Sequence, residues 1–172
     1  MCQGWLGCVV VVVVMGCGRR DFNDVAVDAP IDALACTEPP AGCVEPVVYE
    51  CGGTCYAKCR QLLSRAAAAA ACAEWGGCLA VAHNQAANDC AGSQLAGDTV
   101  YIGYQQRMTA TQQAMGWQWC DGTPTTFTSW RPGQPDDNNS PENGEQNCAV
   151  LNPDGAWEDR SCAMLEKFVC SR

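Results

Sequence analysis

The run Ser129-Trp130-Arg131-Pro132-Gly133-Gln134-Pro135-Asp136-Asp137 sets a proline between an amide and a carboxylate, just after a Pro-Gly pair. Its prolines and glycine mark it as loop. Short strands and turns surround it. Trp117 to Trp119 reads as a strand entering the Asp121-Gly122 turn, and Thr99 to Tyr104 is β-branched and aromatic, hence a strand. On the other side stand Asn147 to Leu151, Trp157 to Asp159 and Phe168 to Cys170, each read as a short strand.

Upstream the pattern turns helical. Residues 65–75 (RAAAAAACAEW) are dominated by Ala, the best helix former. Ser64 is placed to cap this helix and Gly76-Gly77 to stop it. Cys72 and Trp75 give it a face that packs. A second short helix is expected after Asn84, ending near Gly97, and a short strand over Thr54 to Lys58. Two helices followed by a series of strands is an α+β arrangement, with no internal repeat.

The chain has 172 residues, with 10 Lys+Arg against 19 Asp+Glu, a formal net charge of −9. That balance excludes a nucleic-acid partner, which would be held by cations on phosphates, and suits a cation as ligand. There are 15 cysteines. At that density thiols form disulfides in an oxidising compartment or bind metal. The spacings contain no CxxC unit and His83 is the single histidine, so disulfides are the stronger reading. His83 is read as an ordinary structural or surface residue. One histidine and committed cysteines leave no Ser/His/Asp or Cys/His set for a hydrolase.

Residues 5–16 (WLGCVVVVVVMG) form an apolar run too short for a membrane span and fitting the core of an export signal. The run ends in Val14-Met15-Gly16-Cys17, which resembles a bacterial lipobox. That resemblance implies cleavage after Gly16, with Cys17 as first mature residue and lipid-bearing thiol. The basic residues Arg19 and Arg20 follow the run rather than precede it, a departure from ordinary signals. A plain secretory signal and an uncleaved anchor are the other readings. Cleavage removes Cys2 and Cys8 and lipidation takes Cys17, leaving twelve of the 15 cysteines, an even set. Residues 17–50, acidic and proline-bearing with few large apolar side chains, read as a linker in which Cys36 and Cys43 close a small loop.

From residue 51 to 172 the chain resembles the C-type lectin-like domain, motif after motif and in order. WGGCLA after Cys72 is similar to the family's helix exit, and YIGY at 101–104 stands for its WIGL. WQWCDG at 117–122, SWRPGQPDD at 129–137, QNC at 146–148, WEDRSC at 157–162 and FVC at 168–170 follow. The resemblance implies a fold whose termini meet. Cys72 would bridge Cys170, and Cys148 would bridge Cys162 to brace a long loop region. The pairing of Cys36, Cys43, Cys51, Cys55, Cys59, Cys78, Cys90 and Cys120 stays open.

The resemblance also implies Ca²⁺ as cofactor and a carbohydrate or glycoconjugate as partner. Calcium takes about 6–8 oxygen ligands. Gln134 and Asp136 would be aimed at one ion across a cis Pro135, a bond that only proline adopts cheaply. Asp159 matches the aspartate of the family's W-N-D. The family's asparagine there is Glu158, an acceptor only, and its glutamate two residues before the cysteine is Gln146, with Glu145 one further back. The metal set is therefore Gln134, Asp136, Glu145, Gln146, Glu158 and Asp159; Gln134, Asp136 and Glu158 are expected also to contact the sugar's hydroxyls. Gln134-Pro135-Asp136 resembles the galactose-type triplet. The other reading is a calcium-independent interaction or adhesion domain of the same fold, exported or lipid-anchored at the cell surface.

Overall fold

The computed structural model describes residues 36–107, 113–137 and 146–172. The expected signal, Cys17, the linker before residue 36 and Glu145 lie outside the described residues. In chain order the elements are β1 (Val47–Cys51), β2 (Thr54–Leu63), α1 (Arg65–Glu74), β3 (Cys78–Leu79), α2 (Gln85–Gly92), β4 (Val100–Gln106), β5 (Trp117–Trp119), β6 (Cys148–Leu151), β7 (Trp157–Arg160) and β8 (Glu166–Ser171). The strands form one sheet in the order β1-β2-β8-β4-β6-β7, with β3 paired to β8 and β5 to β4. Among the described strands only β4 and β8 pair in parallel; they bring the middle of the chain beside its end. Two helices on a mixed sheet is the α+β class expected.

Alternation along β4 divides the core. Val100, Ile102 and Tyr104 are buried with Trp119, Leu151, Trp157 and Val169. Tyr101, between them, is buried with Val150, Phe168 and the α1 residues Ala68 and Cys72. A strand's side chains point to opposite faces in turn, so the sheet is covered on both. Ala68 and Cys72 are four apart and share one face of α1.

The helix ends follow local chemistry. Asn84 Oδ1 accepts the Ala87 N–H at 2.9 Å, capping α2. Ser64 stands at the N-cap of α1 without a side-chain bond. The second helix stops at Gly92 rather than near Gly97. Ala96 (φ 52°) and Gly97 (φ 88°) lie in the left-handed region, which a right-handed helix cannot use. The intervening turn buries Leu95 instead.

The linker reading fails over residues 36–50. This stretch holds β1, which pairs with β2 across a Gly52-Gly53 turn with φ of 62° and 79°, the geometry that favours tight hairpins. Cys36 and Cys43 do not close on each other: Cys36 bridges Cys55 and Cys43 bridges Cys59. Covalent ties hold a stretch too poor in apolar side chains to hold itself.

Four further bridges complete the frame. Cys72 joins Cys170, and Cys148 joins Cys162. Cys51 joins Cys90, tying β1 to α2, and Cys78 joins Cys120. Strand β4 passes tightly beside the last of these. A Cβ on Gly103 would lie 2.5 Å from Cys120 Sγ and 2.5 Å from the Leu79 carbonyl oxygen, so no side chain fits there.

One buried cation also organises the fold. Lys58 is fully buried, and its Nζ meets Asp98 Oδ2 at 2.6 Å and the Gln94 carbonyl at 3.2 Å. Lys167 takes the other oxygen of Asp98. A buried ammonium needs this much compensation.

Candidate functional site

The loop containing Gln134 is stitched to β7. Trp157 donates its N–H to the Ser129 carbonyl at 2.7 Å, and Arg131 donates to the Trp157 carbonyl at 2.9 Å. Gln134 N–H then returns to the Arg131 carbonyl at 2.9 Å, closing a turn through Gly133 (φ 91°). The Gln134–Pro135 bond is cis. Trp130 packs on Trp157 and Trp117, with ring centroids 5.7 and 4.7 Å apart. The tryptophans therefore support this loop as core, as their residue type suggests.

Asp159 lies under the turn. Its Oδ1 accepts the Asp136 N–H at 3.1 Å and its Oδ2 the Asp137 N–H at 2.7 Å. Gln134 Oε1 faces the Asp159 N–H at 3.4 Å. Asp137 Oδ1 accepts the Gln146 N–H at 3.0 Å, and Gln113 Nε2 donates to the Asp136 carbonyl at 2.7 Å. The fold thus brings Gln134, Asp136, Asp137, Gln146 and Asp159 together from three segments distant in sequence.

Charge separates two kinds of carboxylate here. Asp159 is 2% exposed. Burial pushes its carboxyl above the usual range, against the bonds from the Asp137 and Asp136 amides; the charge of Asp136 pushes it further up. Among the described residues no Lys, Arg or His pairs with Asp159. Glu158 is the opposite case. Arg131 Nη1 bonds its Oε1, and Arg160 Nη2 its Oε2 at 2.8 Å.

The donor chemistry fits a hard cation in part. Gln134 offers an amide oxygen and Asp136 and Asp159 offer carboxylates, the ligand types calcium prefers. An ion would supply the positive charge that buried Asp159 lacks. Carboxylate oxygens have two acceptor positions each, so the amide bonds do not exhaust them. Among the described residues no group of three or more His, Cys, Asp or Glu side chains is arranged to hold a metal ion. Glu158, its charge already met by two arginines, is the expected ligand that fits least.

A concavity of about 680 Å³ lies elsewhere, lined by Tyr56, Val81, His83, Asn84 and Arg172 among others. It shares no residue with the 134–137 loop or β7. His83 at its edge bonds Thr123 Oγ1 at 3.0 Å and Asp121 Oδ2 at 3.3 Å.

The lectin C-type domain profile matches residues 61–172. The chain belongs to the C-type lectin domain family. Among its relatives, human C-type lectin domain family 10 member A is 44% identical over 57 residues, covering 31% of this chain and 18% of that protein. Rat asialoglycoprotein receptor 1 is 43% identical over 63 residues, covering 35% of this chain and 22% of the receptor. The match thus spans about a fifth of each. Among solved structures, the carbohydrate-recognition domain of human scavenger receptor C-type lectin superposes with a TM-score of 0.64 at 21% identity, over 73% of this chain and 95% of that one. A calcium-independent type II antifreeze protein superposes with a TM-score of 0.62 at 24% identity, over 75% and 96%. Those two likenesses speak for the fold alone. The profile match begins at residue 61, so the bridges Cys36–Cys55 and Cys43–Cys59 lie before it. Sequence reasoning missed Arg131 and Arg160 as neighbours of the site; the charge of Glu158 beside Asp159 was the available signal.

Proposed function

We propose that this C-type lectin domain binds carbohydrate through a calcium ion held by Gln134, Asp136 and Asp159. Gln146 or Glu145 would complete the rim, and Glu158, already held by two arginines, would stand beside it. The observation that carries the reading is Asp159: a buried carboxylate, beside a second carboxylate, met among the described residues by amide donors and no cation. Calcium bound there would supply the charge and the open coordination positions that vicinal sugar hydroxyls occupy. Around it, Gln134 donates and Asp136 accepts hydrogen bonds from those hydroxyls. The Gln134-Pro135-Asp136 order supports the galactose type, because exchanging an amide and a carboxylate reverses the donor and acceptor positions offered. A surface ion explains why recognition needs no deep cavity. Titration calorimetry with Ca²⁺, followed by a glycan array with and without chelator, tests both parts.

A second reading is a calcium-independent interaction domain, favoured by the two arginines that already neutralise Glu158. No heat of Ca²⁺ binding would select it. Either way the domain acts by binding. Export to an oxidising compartment is supported by the six bridges, and anchoring through a lipid on Cys17 is the proposed membrane attachment.

A further inference from the structure

Among the described residues Arg131 and Arg160 stand beside the candidate ligand loop, both bonded to Glu158. Arg131 opens the turn that ends on Gln134. Its guanidinium divides between two carboxylates of different character. Nη1 bonds Glu158, whose side chain is 15% exposed and is also held by Arg160. Nη2 bonds Asp154 at 2.6 Å, and Asp154 is 58% exposed. The inner bond fixes the guanidinium. The outer one is a solvent-facing ion pair of the kind that contributes little. A guanidinium fork matches a carboxylate or sulfate in two parallel bonds.

We infer that the site takes galactose-configured sugars carrying an anionic group, and that Arg131 receives that group in place of Asp154. This rests on the calcium-dependent galactose-type reading above and adds the ligand's charge. Asp154 is the stand-in: its carboxylate fills the outer edge of the fork until a ligand's carboxylate or sulfate displaces it. Glu158 then positions Arg131 rather than contacting sugar, which accounts for a carboxylate where the family has an amide. The overall net charge of −9 does not forbid an anion. Charges beyond about 8 Å are screened at physiological salt, whereas the fork acts in contact.

The test compares methyl galactoside, methyl galacturonoside and galactose 6-sulfate on the calcium-loaded protein by titration calorimetry. The first two share their ring hydroxyls and differ at C6. Galacturonoside should bind about tenfold tighter than galactoside, as a charge-assisted bond implies, and the ratio should shrink as salt rises. The sulfate arm separates carboxylate from sulfate as the preferred anion. Arg131→Gln should bring the ratio to about one while calcium affinity persists, which separates a ligand contact from a structural role. Asp154→Asn, which keeps an oxygen to accept the Ala156 N–H, should tighten galacturonoside and leave galactoside unchanged. Equal binding of acidic and neutral sugars by the wild type, or an unaltered ratio in Arg131→Gln, overturns the inference and leaves the lectin reading standing. Binding of no sugar by calcium-loaded protein overturns the lectin reading and the inference with it.

Discussion

Asp159 holds the backbone at Asp137 from below, its Oδ2 accepting that N–H at 2.7 Å, although no side-chain cation among the described residues balances its charge. The same carboxylate is therefore a structural acceptor and, in the proposed reading, the charge that calcium would meet. That double role separates two variants. Asp159→Asn keeps one acceptor oxygen and removes the charge; it should fold and lose calcium. Asp159→Leu removes both acceptors and should also destabilise the loop, by about 1–3 kcal/mol for the orphaned amides. Equal unfolding free energies for the two in chelator would show that the hydrogen bonds contribute nothing.

Gly103 is predicted to tolerate no side chain. Gly103→Ala drives a methyl into Cys120 Sγ and the Leu79 carbonyl, each 2.5 Å from the ideal Cβ. Overpacking of this kind costs about 1–3 kcal/mol. Urea unfolding of the oxidised protein measures it, and an unchanged midpoint would mean that β4 and the Cys78–Cys120 bridge sit further apart.

Acid should weaken the fold through Asp98. Hydrogen bonds from Lys167 and then Lys58 hold its carboxyl below the usual range. A depressed folded value means that the contribution is complete above the unfolded value, about 3.9. It is lost as pH falls below that toward the folded value. Asp98→Asn should flatten this part of the stability–pH curve. It should also cost about 3–5 kcal/mol near neutrality, because Lys58 would be buried without its counter-ion. A variant as stable as the wild type at pH 7 would contradict the assigned pair.

The N-terminal bridges give a covalent prediction. Digestion of unreduced protein should release Cys36 linked to Cys55 and Cys43 linked to Cys59. A chain beginning at residue 47 should be less stable, since each bridge is worth about 2–4 kcal/mol. Recovery of a Cys36–Cys43 peptide would restore the small-loop reading.

Much of this fold is legible in the residues alone. The Ala run with Ser64 before it and Gly76 after it specifies α1, and the alternation of Val100, Tyr101, Ile102 specifies β4. Strand β1 was hidden because Val47, Val48 and Tyr49 look too few to fold; they pair with Lys58, Ala57 and Tyr56, and the bridges that hold the hairpin, Cys36–Cys55 and Cys43–Cys59, join cysteines whose pairing no spacing reveals. At the site, Gln134, Asp136 and Asp159 could be named from motifs. The arginine clamp on Glu158 could not, because Arg131 and Glu158 are 27 residues apart and meet only when the loop is laid along β7.

The triplet reading predicts a switch of sugar. Gln134→Glu with Asp136→Asn exchanges donor for acceptor on both sides of Pro135 and should move retention from galactose toward mannose columns. Unchanged retention would mean that these side chains do not contact the sugar.

The central claim is that the buried charge at Asp159 is there for calcium. Thermal unfolding with millimolar Ca²⁺ and with chelator measures this directly, alongside Asp159→Asn. An ion bound only by the folded state adds about 2.7 kcal/mol at 100 times its Kd. The account predicts a rise in Tm with Ca²⁺ for the wild type and none for Asp159→Asn; a wild-type Tm that ignores calcium would contradict it.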